Sequence, residues 1–398
     1  MATNGGSINY TVKYNIDKTG LNQMKASLQE IFNLSKQDLG KLIELLKVND
    51  TSMNVSQMYL YYLLNEYNSI DKSKIDKLIN KKHLSIEQAY YQSFLDVLEL
   101  DSQDPDYQYA NKVCKVSNIK KLDPNKYLSN PYYQNIKVPE TKIGKWNFQY
   151  DSYLPYEGFM YKDIIIDPNN FAEQSQLGFF EKPFKYLTIA QKNNIWMCIT
   201  PHEIETMDQS IKEASGNVAV FGLGLGYYPY MISRKDDVKK ITIIEKDINA
   251  INLFNQYILP QFEFKDKIEV VQADAFKYAK EMSSDKINYA FVDLWHNVDD
   301  GLPLYLQMKA IEHNIKNITF SYWIEDSLIA YLRRSLFTLI DEQADGSNEE
   351  NYQHAENFND KLINKMFYVY KDTIINSYQD IINILSKDNL LSKMHLFF

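Results

Sequence analysis

The stretch from Val218 to Ser233 reads VAVFGLGLGYYPYMIS, and it decides the fold. It begins with a short apolar run, passes through three alternating glycines and then takes on the composition of a helix. A parallel strand that turns sharply over a nucleotide-like ligand has this order of features. Glycine lets the backbone approach a ligand where a Cβ atom would collide with it. Pro229 suits the first helical turn, where a backbone N–H has no partner within the helix.

The sequence after residue 217 alternates between strand and helix patterns. Strands are predicted at 218–222, 241–245, 268–272, 288–293 and 317–322. Regular alternation of this kind predicts an α/β fold with a doubly wound, mainly parallel, Rossmann-like sheet. The carboxyl ends of such strands form a crevice where open α/β folds bind their ligands.

Two different patterns precede this alternation. From about residue 21 to 122 apolar residues recur at helical spacing, which predicts an all-α N-terminal domain. Two apolar runs, 186–190 and 195–199, flank an Asn-bearing turn and predict a small β-hairpin. We therefore divide the chain into a helical domain over 1–137, a β-rich connecting element over 138–200, a Rossmann-like cofactor-binding domain over 201–341 and a mainly helical extension over 342–398.

The composition restricts the classes of partner and compartment. The chain has 398 residues and a net charge of −9, so nucleic acid, which calls for a basic face, is an unlikely partner. Cys114 and Cys198 lie far apart and have no metal-type spacing, so we expect reduced packing residues and no metal site. No apolar run reaches the ~20 residues that span a bilayer, and the N-terminus does not resemble a secretion signal. We therefore expect a cytoplasmic protein without a membrane partner.

Four sites fall at successive strand ends and predict one ligand crevice. The first is the glycine turn, with Gly222, Gly224 and Gly226. Glu245 closes the second strand, where a carboxylate can accept both ribose hydroxyls of an adenosine. Asp274 follows the third strand and can receive an adenine amino group, with Ala275 against the ring. Asp293 closes the fourth strand.

Each of these residues also has a purely structural interpretation. Glu245 alone is as consistent with a solvated charge at a strand end as with a ribose ligand. Asp274 and Asp293 can each cap the helix that follows them. The ordered recurrence at four strand ends is what favours a ligand site.

The glycine turn, Glu245, Asp274 and Asp293 together resemble the successive motifs of class I S-adenosylmethionine-dependent methyltransferases. The resemblance covers about residues 200–325. It implies that S-adenosylmethionine is the cofactor, that the glycine turn passes its methionine part, and that Glu245 holds the ribose and Asp274 the adenine side. The methyl acceptor, a small molecule or a protein, is not identified by these motifs. Two features depart from the family pattern. The first motif of the family usually opens with an acidic residue, and here the apolar Val220 lies near that position. The final antiparallel pair of strands that is usual in the family is not evident in this sequence.

The same segment resembles spermidine-synthase-like proteins, which have a β-rich element before this fold. In those enzymes an Asp at the fourth strand end helps to deprotonate the attacking amine, and Asp293 has the matching position. The resemblance implies an alternative function, aminopropyl transfer from decarboxylated S-adenosylmethionine. A site for the free carboxylate of the donor favours methyl transfer, and its absence favours aminopropyl transfer.

Two further residues are candidates near the reacting groups. His296 follows Asp293 closely and can act as a general base, although a single loop histidine is more often a surface or packing residue. Tyr227 lies at the helix entrance and can cover the cofactor or only cap the helix. We thus predict Asp293 and His296 as catalytic residues, and we predict Tyr227 and Asp293 among the cofactor-binding residues.

Two other classes of function remain open. A nicotinamide dehydrogenase shares the glycine turn, but Tyr227 stands where close packing of its helix usually needs the third glycine. A binding module without turnover is consistent with the same motifs. The helical N-terminal domain then offers a partner surface, and a homodimer is possible.

Overall fold

A computed structural model describes residues 33–64, 68–191, 194–344, 347 and 349–398. The chain divides into two compact units. One consists of Met1–Leu46 and Ser335–Ser386, and the other of Lys47–Arg334 and Lys387–Phe398. The four domain ranges inferred from the sequence stay predictions.

The helices of the described residues begin mostly at side chains that accept backbone hydrogen bonds. Ser85 forms a reciprocal capping pair with Gln88, and Asp104 accepts hydrogen bonds from Asp106 N and Tyr107 N. The helices are α1 (Lys36–Leu64), α2 (Lys72–Lys82), α3 (Ile86–Val97), α4 (Pro105–Cys114), α5 (Pro124–Leu128), α6 (Pro131–Asn135), α7 (Pro201–Glu213), α8 (Tyr227–Ser233), α9 (Ile248–Leu253), α10 (Ala275–Lys280), α11 (Val298–Glu312), α12 (Glu325–Ala344), α13 (Phe358–Tyr370), α14 (Tyr378–Leu385) and α15 (Lys387–Lys393).

The strands form one parallel sheet and several smaller sheets. They are β1 (Lys120–Lys121), β2 (Thr141–Ile143), β3 (Trp146–Tyr153), β4 (Gly158–Met160), β5 (Ile165–Ile166), β6 (Glu173–Gln174), β7 (Leu177–Phe179), β8 (Phe184–Gln191), β9 (Asn194–Cys198), β10 (Gly216–Phe221), β11 (Val238–Glu245), β12 (Ile268–Gln272), β13 (Tyr289–Val292) and β14 (Thr319–Tyr322).

The five-stranded parallel sheet confirms the predicted fold class. Its order is β12-β11-β10-β13-β14, and each neighbouring pair is parallel. The chain moves outward to β12, then returns to place β13 on the other side of β10. Because the direction of winding reverses between β10 and β13, their carboxyl ends leave a crevice between them. Phe221 and Val292, the last residues of these two strands, are paired in register.

The predicted hairpin is confirmed as part of a four-stranded antiparallel sheet. Strands β8 and β9 pair antiparallel, and the sheet has the order β2-β3-β8-β9. The two central residues of the turn, 192 and 193, lie outside the described residues. The hairpin leads directly into α7, which begins at Pro201.

The N-terminal helices pack around an aromatic core. Tyr62, Tyr90, Phe94 and Phe179 are fully buried there, and the rings of Tyr90 and Phe179 stack at 4.1 Å. This region contains one element that the helical pattern does not predict, since β1 pairs in parallel with β7. Residues 21–32 of the predicted helical pattern lie outside the described residues. Among the helices that are described, none is long and apolar enough to cross a membrane.

Candidate functional site

The crevice between β10 and β13 begins with a close backbone contact. Gly222 follows β10 with a φ of 98°, and a Cβ atom on it would lie 1.9 Å from the carbonyl oxygen of Asp293. Asp293 N donates in turn to Phe221 O at 2.9 Å. Glycine is required at this position because the ends of the two strands approach one another, whether or not a ligand also passes the turn. The contact also fixes Asp293 directly beside the glycine turn.

The middle of the glycine turn is covered by Met197 of β9. A Cβ atom on Gly224 would lie 2.0 Å from the Met197 sulfur, and Leu225 N donates to that sulfur at 3.2 Å. Sulfur is a weak acceptor, so this amide has no strong hydrogen-bond partner among the described residues. The hairpin therefore covers the turn with a thioether side chain.

Helix α6 holds the outer side of the same turn. Tyr132 OH donates to Leu225 O at 2.5 Å, and the Tyr132 ring meets the Tyr227 ring edge-on at 5.5 Å. Asn130 donates to Tyr227 OH at 3.0 Å, and Asn135 donates to Tyr230 OH at 2.9 Å. Tyr227 is thus buried among residues of α6, and its hydroxyl is occupied by a structural hydrogen bond.

Glu245 lies at the end of β11 and contacts the glycine turn. Its Oε2 accepts from Leu223 N at 3.3 Å, and its Oε1 accepts from Asp247 N at 2.7 Å. Each carboxylate oxygen has two lone pairs, so both atoms retain acceptor capacity for a hydroxyl donor. The glycine turn therefore helps to position the Glu245 carboxylate. The binding of ribose hydroxyls by Glu245 stays a prediction.

Asp274 is the N-cap of α10. Its side chain accepts from Lys277 N at 2.9 Å and is exposed, and the half-buried Ala275 begins the helix. The capping interpretation of Asp274 is therefore realised in the fold. A capping carboxylate still has a second oxygen, so contact of Asp274 and Ala275 with an adenine stays a prediction.

Asp293 and Glu203 form a pair of carboxyl groups in the crevice. Glu203, in the first turn of α7, is only 9% exposed. Burial raises the pKa of the Asp293 carboxyl to about 7. Burial, and then the charge of Asp293, raise the pKa of Glu203 well above its usual range. Neither carboxyl accepts a hydrogen bond from the part of the chain that the structure describes, and no cation there lowers either pKa.

The surroundings of this pair are aromatic and neutral. His202 precedes Glu203, and burial lowers the pKa of its imidazole to about 4, so it is uncharged at neutral pH. The His202 ring lies edge-on to Trp323 at 5.9 Å, and Trp323 Nε1 donates to Thr206 Oγ1 at 2.9 Å. A neutral histidine and an occupied indole N–H therefore supply no positive charge to the pair.

His296 is engaged by partners other than the carboxyl pair. Its Nδ1 lies 2.6 Å from Asp300 Oδ2, and the Trp196 ring meets the imidazole edge-on at 3.9 Å. Asp300 also accepts from Asn297 N, as part of the cap of α11. In the described residues no hydrogen bond joins His296 to Asp293 or Glu203, and its catalytic role stays a prediction.

Two contributors to this site are not among the residues predicted from the motifs. Glu203 has only a weak signal in the sequence, because an acidic residue in the first turn of a helix ordinarily stabilises the helix dipole. Met197 has no signal in the sequence, because an apolar side chain in a hairpin strand is expected to pack. The site as a whole can bind a cation at the carboxyl pair and accept a proton there near neutral pH.

Comparisons with known proteins give a distant likeness. No family model matches the chain, and no curated protein matches it. Among solved structures, spermidine synthase from Thermotoga maritima is similar at 15% identity and a TM-score of 0.28, covering 37% of this chain and 55% of that one. Spermidine synthase in complex with the transition-state analogue AdoDATO is similar at 15% identity and a TM-score of 0.28, covering 37% and 54%. The match thus spans about half the length of each of these two structures.

Proposed function

We propose that this chain is a transferase that moves a carbon group from an adenosyl sulfonium donor to an amine. The observation that carries the proposal is the pair formed by the half-buried Asp293 and the buried Glu203, which lies beside the glycine turn without a compensating cation in the described residues. Two poorly solvated carboxyl groups without a cation favour a positively charged ligand. The sulfonium donor and an ammonium acceptor both have that charge.

The donor, when bound, supplies a carbon that is already activated for attack. The chain then has to align the acceptor, exclude water and accept a proton. A carboxyl group with a pKa of about 7 is well matched to taking that proton from an amine at neutral pH. Asp293 has this role in the proposal, and Glu203 contributes to the binding of the cation. Glu245 accepts hydrogen bonds from ribose hydroxyls.

Two donors are compatible with this chemistry. Methyl transfer from S-adenosylmethionine to a small molecule or a protein is the first candidate, because the four strand-end motifs resemble those of methyltransferases. Aminopropyl transfer from decarboxylated S-adenosylmethionine is the second, and one observation favours it. The Leu225 amide is covered by the Met197 sulfur and so is not free to bind a carboxylate, the group that decarboxylated S-adenosylmethionine lacks.

Calorimetric titration with both donors, S-adenosylhomocysteine and 5′-methylthioadenosine tests the proposal. We expect micromolar binding of at least one of the four, and methylated or aminopropylated product when amines such as putrescine are added. Glu245→Ala should weaken binding of all of them. Arg234→Ala, which removes an exposed residue paired with Glu263, is the matched control and should leave binding unchanged. A folded protein that binds none of the four compounds contradicts the proposal.

A further inference from the structure

Four amides of the glycine turn differ in the strength of their hydrogen-bond acceptors. Gly222 N and Gly226 N donate to backbone carbonyl oxygens at 3.0 and 2.9 Å. Leu223 N donates to a carboxylate oxygen at 3.3 Å. Leu225 N donates instead to the Met197 sulfur at 3.2 Å, and sulfur is a weak acceptor. The Leu225 amide is therefore the one of these four that gains most from a stronger acceptor.

An irregular pairing in the hairpin brings Met197 to this amide. Between two paired positions β9 has one residue more than β8, and Trp196 is the extra residue. Such a bulge changes the direction of the neighbouring side chains. Met197 contacts the glycine turn, and the adjacent Trp196 ring meets His296 edge-on at 3.9 Å. Two consecutive residues of β9 therefore contact the carboxyl edge of the parallel sheet.

The contact leaves no space between Met197 and the turn. A Cβ atom on Gly224 would lie 2.0 Å from the Met197 sulfur, so the thioether packs against bare backbone. The segment 196–203 supplies no positive charge at neutral pH, because burial lowers the pKa of His202 to about 4 and Glu203 is its only other ionisable side chain besides a thiol. A carboxylate at this place would meet neither an open amide nor a cation from that segment.

The proposed ribose contact brings the donor close to the same amide. Glu245, which accepts ribose hydroxyls in the proposed function, also accepts from Leu223 N. Leu225 is two residues farther along the turn, which is at most ~7 Å of chain. The carbon chain on the sulfonium of a donor held at Glu245 is therefore within reach of the amide that Met197 covers.

We propose that Met197 determines which donor the crevice accepts. S-Adenosylmethionine has a carboxylate at the end of the carbon chain on its sulfonium, and a carboxylate that leaves water needs a hydrogen-bond donor. Decarboxylated S-adenosylmethionine lacks this group and can lie beside a thioether without that cost. Met197 therefore weakens the binding of the first donor and not of the second. The inference rests on the proposed function, since it requires that an adenosyl sulfonium binds in this crevice.

Calorimetric titration of the full chain with three compounds tests this role of Met197. They are S-adenosylmethionine, its decarboxylated form and 5′-methylthioadenosine, which lacks the carboxylate and the amine. We expect the wild-type chain to bind the decarboxylated donor at least about tenfold more tightly than S-adenosylmethionine. Met197→Ala opens the Leu225 amide, so the Kd for S-adenosylmethionine should fall about tenfold, as for one charge-assisted hydrogen bond. The Kd for 5′-methylthioadenosine should stay within about twofold of its wild-type value.

Two matched variants separate the cover over the amide from the general shape of the hairpin. Met197→Leu keeps an apolar side chain of similar volume over the amide and should keep the wild-type preference. Ile195→Ala shortens an exposed side chain of the same strand and should change none of the three Kd values. An equal change of all three Kd values in Met197→Ala overturns the proposal, because Met197 then only shapes the pocket.

The wild-type chain alone also decides the question, whether or not Met197→Ala folds. Equal affinity of the wild-type chain for the two donors refutes the proposal. Binding of 5′-methylthioadenosine together with an unchanged donor ratio in Met197→Ala contradicts the role of Met197 and leaves the proposed function standing. A folded wild-type chain that binds none of the three compounds contradicts the proposed function, and this inference with it.

Discussion

The two halves of the sheet edge use their carboxylates differently. On the β11 and β12 side, Glu245 and Asp274 accept hydrogen bonds from backbone N–H groups at 2.7–3.3 Å. On the β13 side, Glu203 is buried and Asp293 is half-buried, and neither accepts a hydrogen bond from the described residues. The first pair organises the turn and the next helix, so its charge is stabilised whether or not a ligand is bound. The second pair has no such partners and is stabilised either by protonation or by a bound cation, and for that reason the proposed chemistry is assigned to the β13 side.

The largest effect should follow Asp293→Asn. The amide keeps the shape of the side chain but cannot accept a proton, so turnover with an amine acceptor should fall by about 10²–10⁴-fold. Steady-state rates at saturating donor measure this change. The matched variant Asp274→Asn keeps a side-chain oxygen that can cap α10 and should retain most of the activity. If both variants lose activity equally, the functional contrast between the two halves of the edge is wrong.

The pH dependence of stability should show the same contrast. Burial raises the pKa of Asp293 from 3.8 to about 7, so the folded protein keeps this proton where the unfolded chain has lost it. Its stabilising contribution is therefore complete below about pH 4 and is lost as the pH rises through 7. The full difference amounts to at most ~4 kcal/mol.

Urea unfolding of the wild-type chain and Asp293→Asn at pH 5, 6, 7 and 8 measures this effect. The asparagine variant does not titrate, so its stability relative to wild type should increase steadily with pH and level off above 7. A flat difference for Asp293→Asn would mean that its carboxyl is ionised in the folded protein well below pH 7.

The two glycines of the turn should differ in a third test. Gly222→Ala places a Cβ against the backbone carbonyl of Asp293, which cannot move independently, so we expect a loss of ~3 kcal/mol. Gly224→Ala meets only the end of the Met197 side chain, which can rotate away, so a loss of ~1–2 kcal/mol is expected. Chemical unfolding measures both. A larger loss for Gly224→Ala would show that Met197 is fixed in place.

The parallel sheet was predictable because its signals are local. Apolar runs of four to six residues bounded by Gly, Glu or Asp recur along 218–322, and all five predicted strands match β10–β14. The sequence signals for the hairpin and for the start of α7 at Pro201 are local in the same way. The short strand β1 was not predicted, because it is a strand through its pairing with β7 and not through its own composition.

The site was predictable only in part, for a physical reason. The sequence identifies which residues stand at strand ends, and Asp293 does lie at the switch of winding next to Gly222. The sequence does not show which of these carboxylates accept hydrogen bonds from backbone N–H groups, because that depends on the conformation of the neighbouring turn. Glu203 and Met197 reach the crevice from the segment before the sheet, so only the tertiary structure brings them there.

The smallest expected effect separates the two interpretations of Asp274. Its side chain accepts from Lys277 N, so Asp274→Ala should cost ~1 kcal/mol of folding free energy through the lost cap. If Asp274 only caps α10, the Kd for 5′-methylthioadenosine should remain within twofold of the wild-type value, since the loss falls on stability alone. If it also receives the adenine amino group, the Kd should rise about tenfold, which corresponds to one charge-assisted hydrogen bond. Asp274→Ser restores a capping oxygen without the charge, so it should recover the lost stability in either case. It should recover a lost affinity for 5′-methylthioadenosine only if the capped start of α10, and not the carboxylate itself, positions the ligand.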